Sequence, residues 1–229
     1  MDFFLALFWH WNKLKKTQFV EMSYTGEVTM KRKTKKVYVG LVGEKGGGKD
    51  TAVKIIGELL PKKKSVQIRF SDVLTDTLNI WALPRPRKNY QKLSPSFRKV
   101  YGPHTLSNAV RVRSEAAEAD IVFLNGVRWW EDVAMIHALK RGQVKSFIVY
   151  VTAPVRVRYE RMKKRGEKVG EKKTTFRQFM KEEKAYTEIF IPKIGRKADV
   201  RIGNTGSPDE LKEEVRKRII PRITGKEPS

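Results

Sequence analysis

The chain has 229 residues, enough for one α/β domain with a sizeable core and too few for two large domains. It contains no cysteine, which excludes disulfides and thiolate metal sites, and its three histidines are too scattered to predict a zinc site. The formal net charge is +24, of which residues 37–229 carry +19. This charge is compatible with binding of phosphorylated substrates, with binding of nucleic acid, and with a lysine-rich surface that is only solvated.

The first 36 residues differ in character from the rest of the chain. Residues 3–11 are apolar and aromatic, and several lysines follow them. This run is too short for a transmembrane helix, which needs roughly twenty apolar residues, and it lacks the positive start and cleavage site of a signal peptide. An interfacial anchor, a partner-binding helix and a later true start at Met22 or Met30 remain open. We expect residues 1–36 to be a basic, poorly ordered appendage of a cytoplasmic protein.

The most specific motif spans residues 43–51, Gly-Glu-Lys-Gly-Gly-Gly-Lys-Asp-Thr. An apolar run at residues 37–42 predicts a buried strand before it, and residues 52–60 predict a helix after it. Glycines let successive backbone N–H groups converge on a phosphate at a helix N-terminus, and Lys49 then reaches the outer phosphates. The spacing G-x-x-x-x-G-K therefore predicts a P-loop rather than a glycine-rich turn that merely caps a helix.

Position 50 departs from the usual P-loop, because Asp50 stands where a Ser or Thr normally provides a magnesium ligand. A bare carboxylate would repel a triphosphate, so we expect Asp50 to hold Mg²⁺ directly or through water. The neighbouring hydroxyl of Thr51 is a candidate donor to an inner phosphate.

The sequence Gly-Lys-Asp-Thr at residues 48–51, after an apolar strand, resembles the deoxynucleoside monophosphate kinases, and more broadly the branch that includes dephospho-CoA kinase and adenylate kinase. The resemblance covers most of residues 36–220. It implies that ATP with Mg²⁺ is the phosphoryl donor. The residues that it implies for ATP binding are Gly43, Glu44, Lys45, Gly46, Gly47, Gly48, Lys49, Asp50, Thr51, Asn204 and Gly206.

Residues 65–70 predict a second strand, and Asp72 follows it closely at the start of a helical pattern. A carboxylate at this point of an open α/β sheet faces the ligand crevice, and in the resembling kinases an Asp here lies near the phosphoryl acceptor. Asp72 is therefore a candidate to orient or deprotonate the acceptor, or to assist Mg²⁺. Capping of the following helix is an equally open role, and the two are compatible.

An acceptor-binding insertion is predicted at about residues 82–118. Residues 83–101 predict an irregular segment that leads into a short helix, and residues 105–118 predict another helix. The resemblance implies that arginines here bind the acceptor monophosphate, because a guanidinium pairs with phosphate oxygens in a fork. The candidates are Arg98 first, and then Arg85 and Arg87.

Residues 121–124 predict the third strand, which leads to Asn125 and Arg128. The resembling kinases often have an Asp in place of Asn125, where it serves as a Walker B carboxylate. Because Asn offers only a neutral carbonyl, we expect Mg²⁺ to rely on Asp50, Asp72 and water. Arg128 matches an arginine of the family, which implies contact with the acceptor phosphate or the transferred group.

Residues 146–151 predict the fourth strand, and residues 154–173 carry nine basic and three acidic side chains. Arg161 and Arg165 within this stretch resemble the lid arginines of nucleotide kinases, which close over ATP; a solvated basic helix is the alternative. We place the lid at about residues 156–175. An amphipathic helix is predicted behind it, at residues 174–190.

The last predicted strand covers residues 198–203. In the resembling kinases the turn after it lies beside the adenine ring, which implies that Asn204 and Gly206 contact the base, although Asn-x-Gly is also a common turn without a ligand. A helix at residues 208–220 and a frayed tail at residues 221–229 complete the chain.

These elements predict an α/β protein with a three-layer P-loop kinase fold, in which a five-stranded parallel sheet has helices on both faces and a small lid, over residues 37–220. The leading hypothesis is ATP- and Mg²⁺-dependent phosphoryl transfer to a (deoxy)nucleoside monophosphate. The predicted catalytic residues are Lys49, Asp72, Arg128, Arg161 and Arg165. The alternatives are a dephospho-CoA kinase and a basic, nucleic-acid-associated P-loop ATPase or polynucleotide kinase.

Overall fold

The computed structural model describes residues 36–141, 143–166 and 171–226. Within these ranges, five parallel strands form one sheet in the order β2-β3-β1-β4-β5. The strands are β1 (Val37–Val42), β2 (Ser65–Arg69), β3 (Ile121–Asn125), β4 (Lys145–Thr152) and β5 (Val200–Gly203). This arrangement confirms the predicted α/β fold with a five-stranded parallel sheet.

Helices cover both faces of the sheet. They are α1 (Lys49–Leu59), α2 (Phe70–Ile80), α3 (Arg87–Tyr101), α4 (Thr105–Ala116), α5 (Trp130–Ala138), α6 (Val155–Arg165), α7 (Phe176–Glu183), α8 (Ile191–Arg196), α9 (Pro208–Arg218) and α10 (Ile220–Thr224). Successive side chains of a strand point to opposite faces. In β1, Val39 and Leu41 pack with α1, α9 and α10, whereas Tyr38 and Val42 pack with α2, α4, α5 and α8. The sheet is therefore buried on both sides.

A small separate core joins α6 to α7, in the region predicted as the lid. Tyr159 and Met162 of α6 pack against Phe179 of α7, and Phe176 contacts the Tyr159 ring edge-on at 5.2 Å between centroids. The described part of this region also includes a short 3₁₀ helix, Glu171–Lys173. Apolar packing therefore fixes α7 to α6 independently of the central sheet.

Strand register brings the ends of β1, β2 and β3 to one edge of the sheet. Asn125, the last residue of β3, pairs with Leu41 of β1 on one side and with Arg69 of β2 on the other. Ligands of open α/β sheets bind outside the carboxyl ends of the strands, and this edge carries the loop that follows β1. The polar side chains at these ends therefore define the candidate site.

Residues 83–101 are more regular than the sequence predicts. They include the 15-residue helix α3, which contains Pro95 in its interior. A proline inside a helix removes one backbone hydrogen bond, but Tyr90, Leu93 and Phe97 pack against the core on the same helix and offset that loss. The prediction of an irregular segment with a short helix is therefore wrong.

The predicted single helix at residues 174–190 is also wrong in its second half. Helix α7 ends at Glu183, turns occupy residues 184–190, and α8 begins at Ile191. At the carboxyl end of the chain, α10 continues past the predicted helix and buries Ile223 where a frayed tail is predicted. Both differences come from tertiary packing that an isolated amphipathic pattern does not reveal.

No helix among the described residues is long and apolar enough to cross a membrane. The predicted appendage lies outside the described residues except for Lys36.

Candidate functional site

The loop between β1 and α1 has the backbone conformation that its glycines allow. Gly46 (φ 78°) and Gly48 (φ 102°) are left-handed, which side chains disfavour. A Cβ on Gly48 would collide with the side-chain amide of Asn204, and one on Gly46 would lie 2.5 Å from the carbonyl oxygen of Arg158. Only glycine fits at these two positions. The loop is thus a bare backbone cradle at the N-terminus of α1, where helix geometry favours an anion.

Lys49 folds over this cradle. Its Nζ donates to the carbonyl oxygens of Gly43 (2.6 Å) and Glu44 (3.1 Å). Burial lowers the pKa of Lys49 to about 8, and the nearby charge of Arg128 lowers it as well. Carboxylates in the same neighbourhood oppose both effects, so Lys49 remains mostly a cation at neutral pH.

The side chain of Glu44 fixes the loop to the end of β4. Its two carboxylate oxygens accept hydrogen bonds from the hydroxyls of Tyr150 (2.5 Å) and Thr152 (2.8 Å). Burial and the Glu44 carboxylate raise the pKa of Tyr150 to about 12. Lys45, next in the loop, forms ion pairs with Glu171 (3.1 Å) and Glu182 (3.6 Å) in the predicted lid region. The contacts of these two side chains hold the loop in place, and the backbone of the loop forms the cradle.

Asp50 is surrounded by donors from two neighbouring strands. Its Oδ1 accepts from Gln67 Nε2 (2.8 Å), Arg69 Nη2 (2.8 Å) and Asn125 Nδ2 (3.0 Å). Burial alone would raise the pKa of Asp50, but the hydrogen bonds from Gln67 and Arg69 outweigh it, and the pKa is lowered. The carboxylate is therefore ionised and oriented. Thr51, beside it, is exposed in the first turn of α1.

Asn125 contacts Asp50. Its amide nitrogen donates to Asp50 and its side chain is buried, so it supports the carboxylate on which Mg²⁺ is predicted to rely. The carboxylate next to this strand end belongs to Asp50 of α1. Asn125 orients that carboxylate.

A single ionised carboxylate such as that of Asp50 is compatible with Mg²⁺ binding. Over the described ranges, no three or more His, Cys, Asp and Glu side chains are grouped so that they could hold a metal ion. Mg²⁺ usually binds through one or two carboxylates together with phosphate oxygens and water, whereas a structural zinc site needs four protein ligands. Asp50, beside Lys49 in the first turn of α1, could provide such a carboxylate, and its binding of Mg²⁺ remains a prediction.

Asp72 caps α2. Its Oδ2 accepts the backbone N–H of Arg69 at 2.8 Å, so Asp72 caps the helix from its third position and not as the N-cap residue that the sequence suggests, because α2 already begins at Phe70. Arg69 contacts both predicted metal-binding carboxylates: its backbone N–H donates to Asp72 and its guanidinium donates to Asp50. A contact of Asp72 with an acceptor or with Mg²⁺ remains a prediction.

Arg128 reaches this edge from the loop after β3. Its Nη2 lies 3.4 Å from Oε1 of Glu188, and its side chain is 43% exposed while that of Glu188 is 8% exposed. The backbone N–H groups of Arg128 and Trp129 donate to Oδ2 of Asp132 (3.0 and 3.1 Å). Burial raises the pKa of Asp132 to about 7, although these two hydrogen bonds lower it in part. The backbone of Arg128 is thus fixed, and its guanidinium is accessible.

The structure describes the side chains of two of the three predicted acceptor arginines of the insertion, Arg98 and Arg85. Arg98 makes two hydrogen bonds to Glu131 (3.2 and 3.0 Å) and lies 4.3 Å from the centroid of the Trp129 ring. Arg85 is exposed in the segment before α3. The side chain of Arg87 lies outside the described part of the protein. Arg98 therefore joins α3 to the start of α5 in this structure.

The two predicted lid arginines both bridge segments. Arg161 donates to the backbone oxygen of Asn204 at 2.7 Å, and Arg165 pairs with Glu171 at 3.3 Å. A third arginine, Arg158, is buried and binds Ala153 O (2.9 Å) and Glu183 Oε2 (2.6 Å). Part of the predicted lid, residues 167–170, lies outside the described residues.

Asn204 supports the phosphate cradle with its side chain. Its Nδ2 donates to the carbonyl oxygen of Gly47 at 3.0 Å. A groove of about 600 Å³ opens beside it between β5 and α9, with Thr205, Gly206 and Asp209 in its lining. The contact of Asn204 and Gly206 with a base remains a prediction.

Sequence reasoning missed three side chains of the site. Gln67 and Arg69 alternate along β2 and so share one face, and that polar alternation at a strand end was a usable signal. Glu188 had no such signal, because it lies in a segment whose pattern predicts a continuous helix.

In sequence, the chain is similar to two proteins described as UPF0200 proteins. It is 28% identical to the one from Sulfurisphaera tokodaii over 185 residues, which cover 80% of this chain and 97% of the relative. It is 28% identical to the one from Hyperthermus butylicus over 142 residues, which cover 62% of this chain and 72% of that relative. No model of a known protein family matches the chain.

In structure, the chain is similar to shikimate kinase from Bacteroides thetaiotaomicron. The TM-score is 0.50 and the identity 13%, over 79% of this chain and 94% of the kinase. At this identity the likeness concerns the fold, and it shows that the chain has a P-loop kinase-like fold. This confirms the coarser part of the resemblance seen in the sequence; the specific tie to nucleotide kinases remains a prediction.

Proposed function

We propose that this protein is a phosphotransferase that moves the γ-phosphoryl group of ATP to a small phosphorylated acceptor, with (deoxy)nucleoside monophosphates as the leading class. One observation carries the proposal. At a single sheet edge, the phosphate cradle with Lys49 and the ionised Asp50 stands beside Arg69 and Arg128, which are 51% and 43% exposed. A site for the phosphoryl donor ATP and two arginines that could bind an anionic acceptor thus share one edge of the sheet. Phosphoryl transfer requires donor and acceptor to be held close together.

The reaction follows from these positions. An acceptor phosphate oxygen attacks the γ-phosphorus, and the bond to the oxygen that bridges to the β-phosphate breaks and leaves ADP. Lys49 and the loop N–H groups hold the outer phosphates, and Asp50 would hold a Mg²⁺ ion, which when bound would neutralise phosphate charge. Arg128 binds the acceptor, and Arg161 and Arg165 stabilise the charge of the transferred group. Catalysis is mainly positioning and electrostatics.

Asp72 separates the two kinase alternatives. A monophosphate acceptor presents an oxygen that is already ionised, so Asp72 only needs to orient it. An alcohol acceptor such as dephospho-CoA would need a base, and Asp72, three residues beyond the end of β2, is the candidate for it.

The test is ADP release from Mg²⁺·ATP with a panel of nucleoside and deoxynucleoside monophosphates, dephospho-CoA and single-stranded oligonucleotides. One small acceptor is expected to stimulate ADP release, and Lys49→Ala is expected to lower that rate roughly a hundredfold or more. Lys54→Ala is the matched control, because Lys54 lies on the same helix, is 79% exposed and pairs only weakly with Glu58 at 3.9 Å.

Two results of the panel would contradict the proposal. Stimulation by no small acceptor, combined with salt-sensitive oligonucleotide binding, would favour the nucleic-acid-associated alternative that the net charge of +24 suggests. ADP release that is equal in the wild type and in Lys49→Ala would place the activity outside the P-loop.

A further inference from the structure

Arg69 pairs with Asp50 at the edge of the sheet. Its Nη2 lies 2.8 Å from Oδ1 of Asp50, and the two side chains are 51% and 56% exposed. The same oxygen accepts two neutral donors, Gln67 at 2.8 Å and Asn125 at 3.0 Å. One charged and two neutral donors therefore hold the carboxylate that is expected to face Mg²⁺.

A guanidinium and Mg²⁺ compete for such a carboxylate. A guanidinium and Mg²⁺ on one carboxylate are only a few ångströms apart and repel each other, so Mg²⁺·ATP is expected to weaken the Arg69–Asp50 pair and favour its displacement. The neutral donors Gln67 and Asn125 can stay and keep Asp50 oriented. Because the Arg69–Asp50 pair is exposed, water competes with it and the pair is easily exchanged.

A second arginine, Arg128, lies at the same edge of the sheet as Arg69 and could share an incoming anion with it. Arg69 pairs in register with Asn125, and Arg128 follows that residue by three positions on the same edge. Arg128 is also half-exposed, and its counter-ion is Glu188. Two arginines thus follow neighbouring strands at this edge: Arg69 is the last residue of β2, and Arg128 lies three residues beyond the end of β3. A phosphate entering there can be bound by both, because guanidinium forks match its oxygens.

We propose that Arg69 is exchanged between two anions: it neutralises Asp50 in the free protein, and after Mg²⁺·ATP displaces it, it binds the anionic group of the acceptor together with Arg128. This proposal rests on the proposed function, since Mg²⁺·ATP provides the displacement. The acceptor then binds more tightly after the donor, and by linkage the acceptor strengthens Mg²⁺ binding by the same factor. The substrate class that this geometry recognises is a molecule with a terminal phosphate.

The first test measures Mg²⁺ affinity by calorimetric titration of the full chain saturated with the non-hydrolysable analogue AMP-PNP. Arg69→Gln is expected to bind Mg²⁺ roughly two- to fivefold more tightly than the wild type, which is the ratio that corresponds to an exposed ion pair. Arg69→Lys keeps the charge and is expected to stay near the wild type. If Arg69 served only to hold Asp50 in place, its removal would instead weaken Mg²⁺ binding.

The matched control is Arg218→Gln. Arg218 is 47% exposed and pairs with Glu214 at 3.4 Å, which makes it a similar half-exposed ion pair. It is the last residue of α9, a helix that starts near the carboxyl end of β5, so it lies away from the site edge. Arg218→Gln is expected to leave the Mg²⁺ affinity unchanged.

The second test uses inorganic phosphate as the anion probe, with its binding to the AMP-PNP complex followed by ³¹P NMR line broadening. In the wild type, phosphate is expected to bind several-fold more tightly with Mg²⁺ than with EDTA, and Arg69→Gln is expected to abolish that difference. Arg128→Gln is expected to weaken phosphate binding in both conditions.

The outcomes separate this proposal from the proposed function. If phosphate binds the wild type equally with and without Mg²⁺, or if Arg69→Gln leaves the Mg²⁺ affinity unchanged, the exchange is refuted while the phosphotransferase proposal stands. If AMP-PNP does not bind the wild type at all, both are refuted.

Discussion

Lys49 and Asp50 stand side by side at the start of α1, and distant parts of the chain set the charge of each. Burial and Arg128 lower the pKa of Lys49 to about 8, whereas donors from β2 keep the pKa of Asp50 below its usual range. Both groups are therefore mainly charged at neutral pH, one for phosphate and one for a cation. The sequence predicts both roles from the motif. It does not predict that the pKa of Lys49 is lowered to about 8, because burial and the charge of Arg128 come from the tertiary structure.

ATP binding near pH 8 is expected to take up protons at Lys49. With a pKa of about 8 in the free protein, roughly half of the Lys49 amines are neutral at pH 8, and a polyphosphate anion favours the charged form and raises the pKa again. ATP affinity is therefore expected to fall as the pH rises above about 8. Calorimetry in buffers of different ionisation enthalpy measures the uptake.

Lys49→Arg is the control for this uptake, because a guanidinium stays charged over the whole range. Its proton uptake at pH 8 is expected to be smaller than that of the wild type by about half a proton. Equal uptake by the two proteins would mean that Lys49 does not titrate there.

At the scale of elements, the sequence predicts those that follow from a local pattern, and it does not predict those that depend on tertiary contacts. Strand β1, the glycine loop and α1 follow from apolar and glycine spacing, and the structure has them where they are predicted. Helix α3 was missed because Pro84, Pro86 and Pro95 argue against it locally, while its packing on the core outweighs them. The turns at residues 184–190, which bring Glu188 next to Arg128, are not predicted, because residues 174–190 have the pattern of one amphipathic helix.

The start of α5 is expected to make the stability of the fold depend on pH. Asp132 has a pKa of about 7 in the folded protein, well above its ordinary value of 3.8, because it is buried. The folded protein therefore holds this proton more tightly than the unfolded chain, and the contribution of Asp132 to the free energy of unfolding falls as the pH rises from about 4 to about 7.

Asp132→Asn isolates this effect, because Asn keeps an acceptor for the backbone N–H groups but cannot ionise. Between pH 4.5 and pH 7.5, the variant is expected to gain stability relative to the wild type by on the order of 1 kcal/mol or more. Urea unfolding at both pH values measures the difference. A stability difference that is the same at the two pH values would show that Asp132 does not titrate between them.

At the scale of the whole molecule, strand order assembles the site. Asp50 meets Gln67, Arg69 and Asn125 only because β3 lies between β1 and β2. The P-loop half of the site is local and could be predicted, whereas the acceptor half depends on strands and turns that are far apart in the chain. The net charge of +24 attracts anions in general, and it does not by itself select a mononucleotide over a polynucleotide.

The most direct measurement follows the γ-phosphoryl group itself. ATP labelled at that group is incubated with Mg²⁺, the full chain and the acceptor that stimulates ADP release, and the products are separated by chromatography. We expect the label to move onto the acceptor phosphate at a rate that Lys49→Ala abolishes and Lys54→Ala preserves. Label that appears only as inorganic phosphate, or that never leaves ATP with any acceptor of the panel, would contradict phosphoryl transfer as the function of this site.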